Sequence, residues 1–274
     1  MIKRKNKKTK NQNNLRIGVI FCLFVCFLIT VSLIFKLILL LQSSKFDGKH
    51  NFSVVIYEQD SKSKKAQIIS FAPDVAKISV LKILAKKPSD LAKILEVPID
   101  GTIKIPGKGD EEVESMLGSA LLGFKDTQTN LTIIDISRLW LFAKSVSNQS
   151  ISANEISLDQ VLTDEAIDKI SSQIFSDNSF SAEKISIQIV NGTGFSGLGN
   201  RLARLISNMG GNVVSVLTSD KNIESSEILY VDEETYTLER LTKILGFKKT
   251  KMNGAQISDI IIKIGKDSLP PLNF

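Results

Sequence analysis

The strongest constraint on the fold is an uncharged apolar run near the amino terminus. From 17 to 35 the chain reads IGVIFCLFVCFLITVSLIF, and after Lys36 the apolar run resumes as far as Leu41. A helix over the first part would span about 28 Å, close to the hydrocarbon thickness of a bilayer. Because Lys36 can extend its ammonium group to the interface, residues 17–41 are predicted to form one transmembrane helix.

The charges on either side of this run predict its orientation. Residues 1–16 hold seven basic side chains and no acid, whereas the chain beyond the apolar run holds 27 basic against 29 acidic residues. Basic flanks stay in the cytoplasm, so 1–16 are expected to be a cytoplasmic tail and the remainder to be extracytoplasmic. The sequence pI of 9.1 reflects the tail, and no nucleic-acid partner is expected.

A cleaved signal peptide is the alternative interpretation of the same run. Its apolar region would be only about 7–15 residues long and would end at a small-residue cleavage site. This run is longer, and Leu-Gln-Ser-Ser-Lys follows at 41–45. Both cysteines, Cys22 and Cys26, lie inside the run, so the rest of the chain has no disulfide framework, which fits a bacterial exterior.

Residues 50–175 are predicted to form an α/β domain. Alternating apolar residues predict three strands, the first two joined as a hairpin, at 52–57, 66–71 and 102–105. Apolar residues about three apart predict helices at 74–86, 111–122, 132–143 and 163–175. Thr132 is expected to cap its helix, with Asp135 completing a capping box.

A second, smaller domain is predicted at 185–267. The segment 176–184 before it is polar and lacks periodicity, so it is interpreted as a linker. Beyond it, strand, helix, strand, strand, helix and strand are predicted at 185–190, 197–209, 213–217, 228–231, 235–245 and 259–264. This βαββαβ order predicts a two-layer domain, so the fold class is α/β throughout, with a transmembrane helix in front.

The first helix of the small domain follows a glycine-rich turn, Gly192-Thr193-Gly194-Phe195-Ser196-Gly197. Its spacing matches the dinucleotide fingerprint, but too little chain follows for further parallel strand-helix units, so no nicotinamide cofactor is expected. The favoured interpretation is a tight turn in which Ser196 caps the helix. A possible anion or glycan site remains open, because free N–H groups at a helix start can bind a carboxylate or phosphate. Its residues would be Gly192, Thr193, Gly194, Ser196 and Gly197.

Few residues suited to metal or hydrolytic chemistry are present. His50 is the only histidine, and the outer part has no cysteine, so neither a His/Cys metal cluster nor a Ser-His-Asp triad is expected. A carboxylate site would have to use scattered acids, with Asp74, Asp100 and Asp110 as candidates. Simpler interpretations apply to the other notable side chains: a solvated helix face for Glu111, Glu112 and Glu114, and a core position rather than a sugar platform for Trp140.

Two segments resemble the LytR-CpsA-Psr (LCP) envelope proteins. The small domain is similar to the family's LytR C-terminal domain in IQIVNGTGFSGLGNRLARLISNMGGNVVSV at 187–216 and DIIIKIGKD at 259–267. Residues 50–175 resemble a shortened, divergent form of the LCP catalytic domain. That similarity rests on SVVIYEQDSKSKKAQIISFAPD at 53–74 and LAKILEVPIDGTIKI at 91–105.

The resemblance implies a specific chemistry. The family attaches anionic glycopolymers, carried on polyprenyl pyrophosphate, to peptidoglycan, and uses arginines and an aspartate to bind pyrophosphate and Mg²⁺. At the family's Pro-Arg-Asp position this chain has Pro73-Asp74, so Asp74 is the candidate catalytic residue and the arginine is missing. The family's Arg-Ser-Asp is also absent, since His50-Asn51-Phe52-Ser53 stands there. Lysines could substitute, and those near in sequence are Lys77, Lys82, Lys86 and Lys104.

The sequence therefore predicts a single-pass membrane protein with a non-catalytic or vestigial LCP-type module. That module would bind cell-wall glycan, lipid carrier or an envelope partner, with peptidoglycan or an anionic glycopolymer as the expected ligand and no cofactor. One alternative is a divergent glycopolymer transferase, which would need Mg²⁺. A structural interaction scaffold is the third possibility.

The orientation leads to a direct prediction. Protease added outside intact cells or spheroplasts should digest the chain beyond Ser44, because the basic tail holds the amino terminus inside. A carboxyl-terminal tag followed by immunoblotting measures the digestion, with a cytoplasmic protein as the control for intact cells. Full protection of the tag would contradict the assigned orientation.

Overall fold

The computed structural model describes residues 6–58, 65–84, 95–105, 112–157, 163–231, 233–254 and 257–268. The chain divides into two compact units, Met1–Ser44 and Lys45–Phe274. The first contains helix α1 (Asn6–Gln42). Its segment Gly18–Gln42, with a mean hydropathy of 2.9, is long and apolar enough to cross a membrane, in agreement with the predicted helix at 17–41.

The second unit begins with a six-stranded mixed sheet, which we call sheet A. Its strands lie in the order β5-β4-β1-β2-β3-β6. Their bounds are β1 (Phe52–Glu58), β2 (Lys65–Ala72), β3 (Lys77–Leu84), β4 (Gly101–Ile105), β5 (Gln128–Thr129) and β6 (Ile151–Ser157). The hairpin predicted from the first two strands is confirmed, since β1 and β2 pair antiparallel with Phe52 opposite Phe71.

Both faces of sheet A are covered. Successive residues of a strand point to opposite faces, so Val54 and Ile56 join one core while Val55 joins the other. The first core is closed by α2 (Val113–Leu122) and α3 (Ile133–Ser145), and Trp140 packs against it, as predicted. The second core is closed by the segment around Leu95 and by α4 (Asp164–Phe175), as predicted at 163–175.

The helix predicted at 74–86 is wrong. The chain there forms a short 3-10 turn, Pro73–Val75, and then β3. The cause is burial on both faces: Ile78 and Val80 enter one core, while Leu81 and Ile83 enter the other. A strand buried on both faces is apolar almost continuously, and such a run also satisfies a helical spacing.

The small domain contains a five-stranded sheet, sheet B, in the order β10-β9-β11-β7-β8. Its elements are β7 (Ser186–Asn191), α6 (Leu198–Asn208), β8 (Asn212–Thr218), β9 (Glu227–Tyr230), α7 (Tyr236–Leu245), β10 (Lys248–Lys251) and β11 (Ile260–Ile264). All six predicted elements are present around a core of their own. Strand β10 was missed because Lys-Lys-Thr-Lys shows no apolar alternation, as is common for an edge strand.

The segment 176–184, interpreted as a linker, is ordered. It contains a short helix, α5 (Asn178–Ala182), whose cap is the side chain of Asp177, which accepts a hydrogen bond from the Phe180 N–H. The Phe180 ring is buried in the core of the small domain. A single aromatic residue and a capping aspartate therefore give structure to a run whose composition resembles a loop.

The carboxylate of Asp135, at the start of α3, connects two distant segments. One oxygen accepts hydrogen bonds from the Thr132 N–H and hydroxyl at 2.8 Å each, which confirms the predicted capping box. The other accepts from the N–H groups of Lys45 and Phe46, also at 2.8 Å. Asp135 is fully buried, and its carboxylate holds the first residues of the second unit, Lys45 and Phe46, against the start of α3.

Replacing Asp135 should lower the free energy of unfolding much more than replacing Thr132, its partner in the capping box. In a protein spanning residues 43–274, Asp135→Ala leaves several buried donors unpaired and should lower the free energy of unfolding by at least about 3 kcal/mol. Thr132→Ala, the control within the same cap, should cost about 1 kcal/mol. Urea denaturation followed by circular dichroism measures both, and equal losses would show that the contacts to Lys45 and Phe46 contribute little.

Candidate functional site

Asp74, the candidate catalytic aspartate, lies in the exposed turn between β2 and β3. Strand directions place this turn at the same end of sheet A as the start of β1 and the start of β4. Asp100 immediately precedes β4, so the fold brings both candidate acids to one end of the sheet. Asp110 lies outside the described residues.

The candidate lysines that the structure describes do not converge on that end. Lys77 begins β3, but Lys82 lies five residues along the strand, roughly 16 Å further at the usual rise. Lys104 lies three residues into β4, where its Nζ donates to Gln128 Oε1 at 3.3 Å. Lys86 is not among the described residues. The lysines that the structure describes are therefore spread along sheet A.

Asp100 is engaged by an arginine of the small domain. Arg240 on α7 makes two parallel hydrogen bonds to it, Nη1 to Oδ1 at 2.5 Å and Nη2 to Oδ2 at 2.8 Å. The side chains are 6% and 4% exposed, and Asp100 Oδ2 also accepts from the Ser53 N–H. Burial opposes the charge of the guanidinium, but the adjacent carboxylate outweighs it and raises the pKa of Arg240 above its ordinary value.

Every arginine beyond the apolar helix is engaged within the fold. The chain has six arginines, of which Arg4 and Arg16 precede the apolar run. The other four bind the following groups: Arg138 the Phe46 carbonyl, Arg201 the Glu96 carboxylate, Arg204 the Asp168 carboxylate and Arg240 the Asp100 carboxylate. The nitrogen-oxygen distances in these contacts run from 2.5 to 3.0 Å.

The small domain also holds the segment that leads into β4. Arg201 Nε donates to Glu96 Oε1 at 2.7 Å, and Asn208 Nδ2 donates to the Glu96 carbonyl at 3.0 Å. Glu96 has a φ of 44°, which is uncommon for a residue other than glycine. Burial raises the pKa of its carboxyl despite the opposing effect of Arg201. The segment 95–100 is thus held at Glu96 by α6 and at Asp100 by α7.

A small cavity of about 130 Å³ lies beside the Asp100–Arg240 pair. Its lining comes from both parts of the outer unit: Lys45, Asp47, His50, Asn51, Phe52, Tyr236, Glu239, Arg240 and Lys243. The His50 ring stacks on Tyr236 with centroids 4.2 Å apart, and its Nδ1 contacts Asp47 Oδ2. Burial and a hydrogen bond to Asp177 raise the pKa of Tyr236. His50 therefore packs against Tyr236 of the small domain, beside a cavity lined by both acidic and basic side chains.

The glycine-rich turn is organised by one buried asparagine, Asn191. Its Oδ1 accepts from the N–H and hydroxyl of Thr193, and its Nδ2 donates to the Phe195 carbonyl at 2.7 Å. Gly194 and Gly197 have φ values of 79° and 88°, a region that favours glycine. The predicted cap by Ser196 is wrong, because Gly197 is the capping residue and no side chain caps the helix.

A groove of about 280 Å³ opens at this turn. It is lined by Asn191, Gly194, Phe195, Ser196, Gly197, Gly199, Asn200, Val216 and Thr218. Of the five residues predicted for an anion or glycan site, the structure brings Gly194, Ser196 and Gly197 to the groove. Gly192 and Thr193 are buried beneath it, where a side chain at Gly192 would collide with Ile223.

Comparison with known protein families identifies this part of the chain. A family model described as LytR cell envelope-related transcriptional attenuator matches residues 184–267. This segment is a LytR C-terminal domain. It coincides with sheet B and its two long helices, so the glycine turn and its groove belong to the LytR C-terminal domain. No curated protein sequence matches the chain.

Some solved structures share a limited likeness with the chain. TagT of Bacillus subtilis is 13% identical over 41% of this chain and 81% of its own, with a TM-score of 0.29. TagT bound to LIIa-WTA is 12% identical over 48% and 92%, with a TM-score of 0.33. Protein gbs0355 of Streptococcus agalactiae is 12% identical over 48% and 90%, with a TM-score of 0.34. At such scores the likeness assigns neither fold nor function.

Sequence reasoning missed Arg240, Asn200 and Thr218. The signal for Arg240 is its place on α7 of the LytR C-terminal domain, where the helical period puts it on the same side as the buried Thr237 and the partly buried Ile244. An arginine on a buried helix face requires an acidic partner. That partner, Asp100, is 140 residues away, so the sequence alone does not name it.

The buried pair should show strong coupling in a double-mutant cycle. In a protein spanning residues 45–274, Arg240→Met leaves the Asp100 charge buried without its main partner, which should cost about 3–5 kcal/mol. The double variant Arg240→Met/Asp100→Leu removes both charges and should be more stable than Arg240→Met alone.

Urea denaturation measures the coupling, and the more exposed pair Lys266–Glu224 is the control. Lys266→Met should change the free energy of unfolding little, because surface pairs are screened by water. If Arg240→Met lowers the free energy of unfolding as little as Lys266→Met does, the buried pair does not contribute to stability as expected.

Proposed function

We propose that this chain is a single-pass envelope protein that binds cell-wall glycan outside the cytoplasm and does not transfer glycopolymer. The engagement of all four outer arginines by groups of the fold is the observation that carries this proposal. The apolar helix, the basic tail before it and the envelope family of the C-terminal domain support the location.

Transfer of a pyrophosphate-linked polymer requires fixed cations at the oxygens where charge develops. Arginine suits that role because its planar guanidinium makes two charge-assisted hydrogen bonds and stays ionised. The guanidinium groups of Arg201, Arg204 and Arg240 are held by carboxylates of the fold. Releasing Arg201 or Arg240 to a substrate would leave Glu96 or Asp100 buried without a counter-charge, which is costly.

The carboxylates that the structure describes do not fit a Mg²⁺ site of the kind that the family resemblance implies. Mg²⁺ prefers an octahedral set of oxygen ligands that includes one or two carboxylates. At this end of sheet A the described candidates are Asp74, which is exposed, and Asp100, which Arg240 already binds in bidentate fashion. Within the described ranges, no group of three His, Cys, Asp or Glu residues is placed to hold an ion.

The groove of the LytR C-terminal domain has the chemistry of a glycan-binding surface. A sugar presents apolar C–H faces and hydroxyl groups, and the Phe195 ring, 61% exposed beside the groove, can pack against such a face. Ser196, Asn200 and Thr218 provide polar groups along the same groove. The amino-terminal end of α6 also opens there and favours a negatively charged substituent.

The binding step can be tested with one pair of variants. A protein spanning residues 45–274 should co-sediment with purified bacterial cell walls that retain their anionic polymer. Phe195→Ala should lower the bound fraction by about tenfold, because it removes the exposed aromatic ring that lines the groove. Leu122→Ala is the matched control, since Leu122 is an exposed apolar residue on α2, and it should bind as the original does.

If Phe195→Ala binds cell walls as well as the original protein, or if the original protein does not bind them, the groove is not the glycan-binding site. The same preparation should transfer no polymer from a lipid-pyrophosphate donor in the presence of Mg²⁺. If transfer occurs and Asp74→Ala abolishes it, the chain is a divergent glycopolymer transferase instead.

A further inference from the structure

The two edges of sheet B differ sharply in charge. Strand β10 forms one edge and reads Lys-Lys-Thr-Lys, a composition that discourages pairing with another strand. Strand β8 forms the other edge and reads Asn-Val-Val-Ser-Val-Leu-Thr, without a charge or a proline. The lysines of β10 therefore disfavour pairing with another strand, whereas β8 has no charged residue or proline that would do so.

The β8 edge is also exposed and apolar. Val214 and Leu217 are each 49% exposed, and Val216 is 38% exposed. Strand β8 pairs with β7 on one side, and the described part of the chain places no strand on the other. A bulge interrupts the pairing next to Val213, so the regular part of the edge is the run from Ser215 to Thr218.

We infer that β8 pairs with β8 of a second copy of this chain, antiparallel about a two-fold axis. An antiparallel pair of identical strands places each residue opposite a residue of the same short segment. For β8 this brings no like charges together, whereas the same arrangement at β10 would oppose lysine with lysine. On the face opposite the groove that Val216 and Thr218 line, the Leu217 side chains of the two copies would then cover one another, as in an isologous interface.

Membrane anchoring favours a copy of the chain over an unrelated peptide. Two copies with the same orientation in one membrane are related by an axis along the membrane normal, which permits a two-fold contact between their outer parts. Confinement to the membrane also raises their effective concentration. This step rests on the proposed function, because it uses the single-pass orientation.

The positions of the cysteines allow a direct test in the full chain. Cys22 and Cys26 both lie in α1, so Cys22→Ser/Cys26→Ser removes every native thiol. Single cysteines are then placed at Ser215, Val216, Leu217 and Thr218, and the protein is oxidised in lipid vesicles. We expect disulfide-linked dimers whose yield peaks at one position and falls on either side of it, because only a residue near the two-fold axis lies close to its own counterpart in the other copy.

Matched variants separate pairing from chance collision. Single cysteines at Lys248, Thr250 and Lys251 of β10 should cross-link at least tenfold less than the best β8 position. Leu217→Lys should abolish the cross-link at Ser215, whereas Leu122→Lys should leave it unchanged. Thermal melting of each variant shows that it is folded, and flotation of the vesicles tests the anchoring independently.

Several results would overturn the proposal. Cross-linking at β8 no stronger than at β10, or uniform along β8, would show that the edge does not pair in a fixed register. Oxidation in whole cells that links β8 cysteines only to a different protein would assign the edge to a peptide partner. Failure to float with vesicles would instead refute the anchoring on which the proposed function depends.

Discussion

The side chains of Asp100 and Arg240 are buried as an ion pair, and the packing of the small domain against sheet A depends on this pair. Removing both from water costs several kcal/mol for each ion, so the pair contributes less to stability than its short distances suggest. We expect its main effect to be on specificity, since an uncompensated charge at either position is strongly disfavoured. The pair sets where β4 begins, because Asp100 also binds Ser53 of β1, and it sets where α7 lies.

The same chemistry bears on function. A guanidinium that closes a domain interface is not available to a phosphate, and the outer arginines show this conflict directly. Arg201 and Arg204 lie on α6 beside acids of the larger domain, and Arg240 lies on α7 beside Asp100. Three of the four outer guanidinium groups are directed toward carboxylates of the chain itself.

Local physics made much of the fold predictable. The apolar helix, the β1–β2 hairpin, the capping box at Thr132 and Asp135, and the end of α7 at Gly246 all follow from residues within one or two turns of chain. The failures have equally physical causes. Strand β3 was read as a helix because both of its faces are buried, and β10 was missed because an edge strand needs no apolar residues.

The site was less predictable than the fold. The positive φ values of Gly194 and Gly197 agree with the tight turn expected from the sequence, yet the glycine fingerprint did not show that Asn191 organises the turn. The bond between Asp100 and Arg240 joins residues 140 positions apart, and no local periodicity encodes such a distance. Contacts of this kind become visible only when both domains are folded together.

That separation along the chain has a consequence for biogenesis. In a chain synthesised from its amino terminus, the strands of the larger domain are complete long before α7 leaves the ribosome. Contacts between residues far apart in sequence form late, because the intervening loop must first be closed. Asp100 therefore has no guanidinium partner until nearly the whole chain has been made, and a chain truncated before residue 240 would leave the Asp100 carboxylate without its counter-charge.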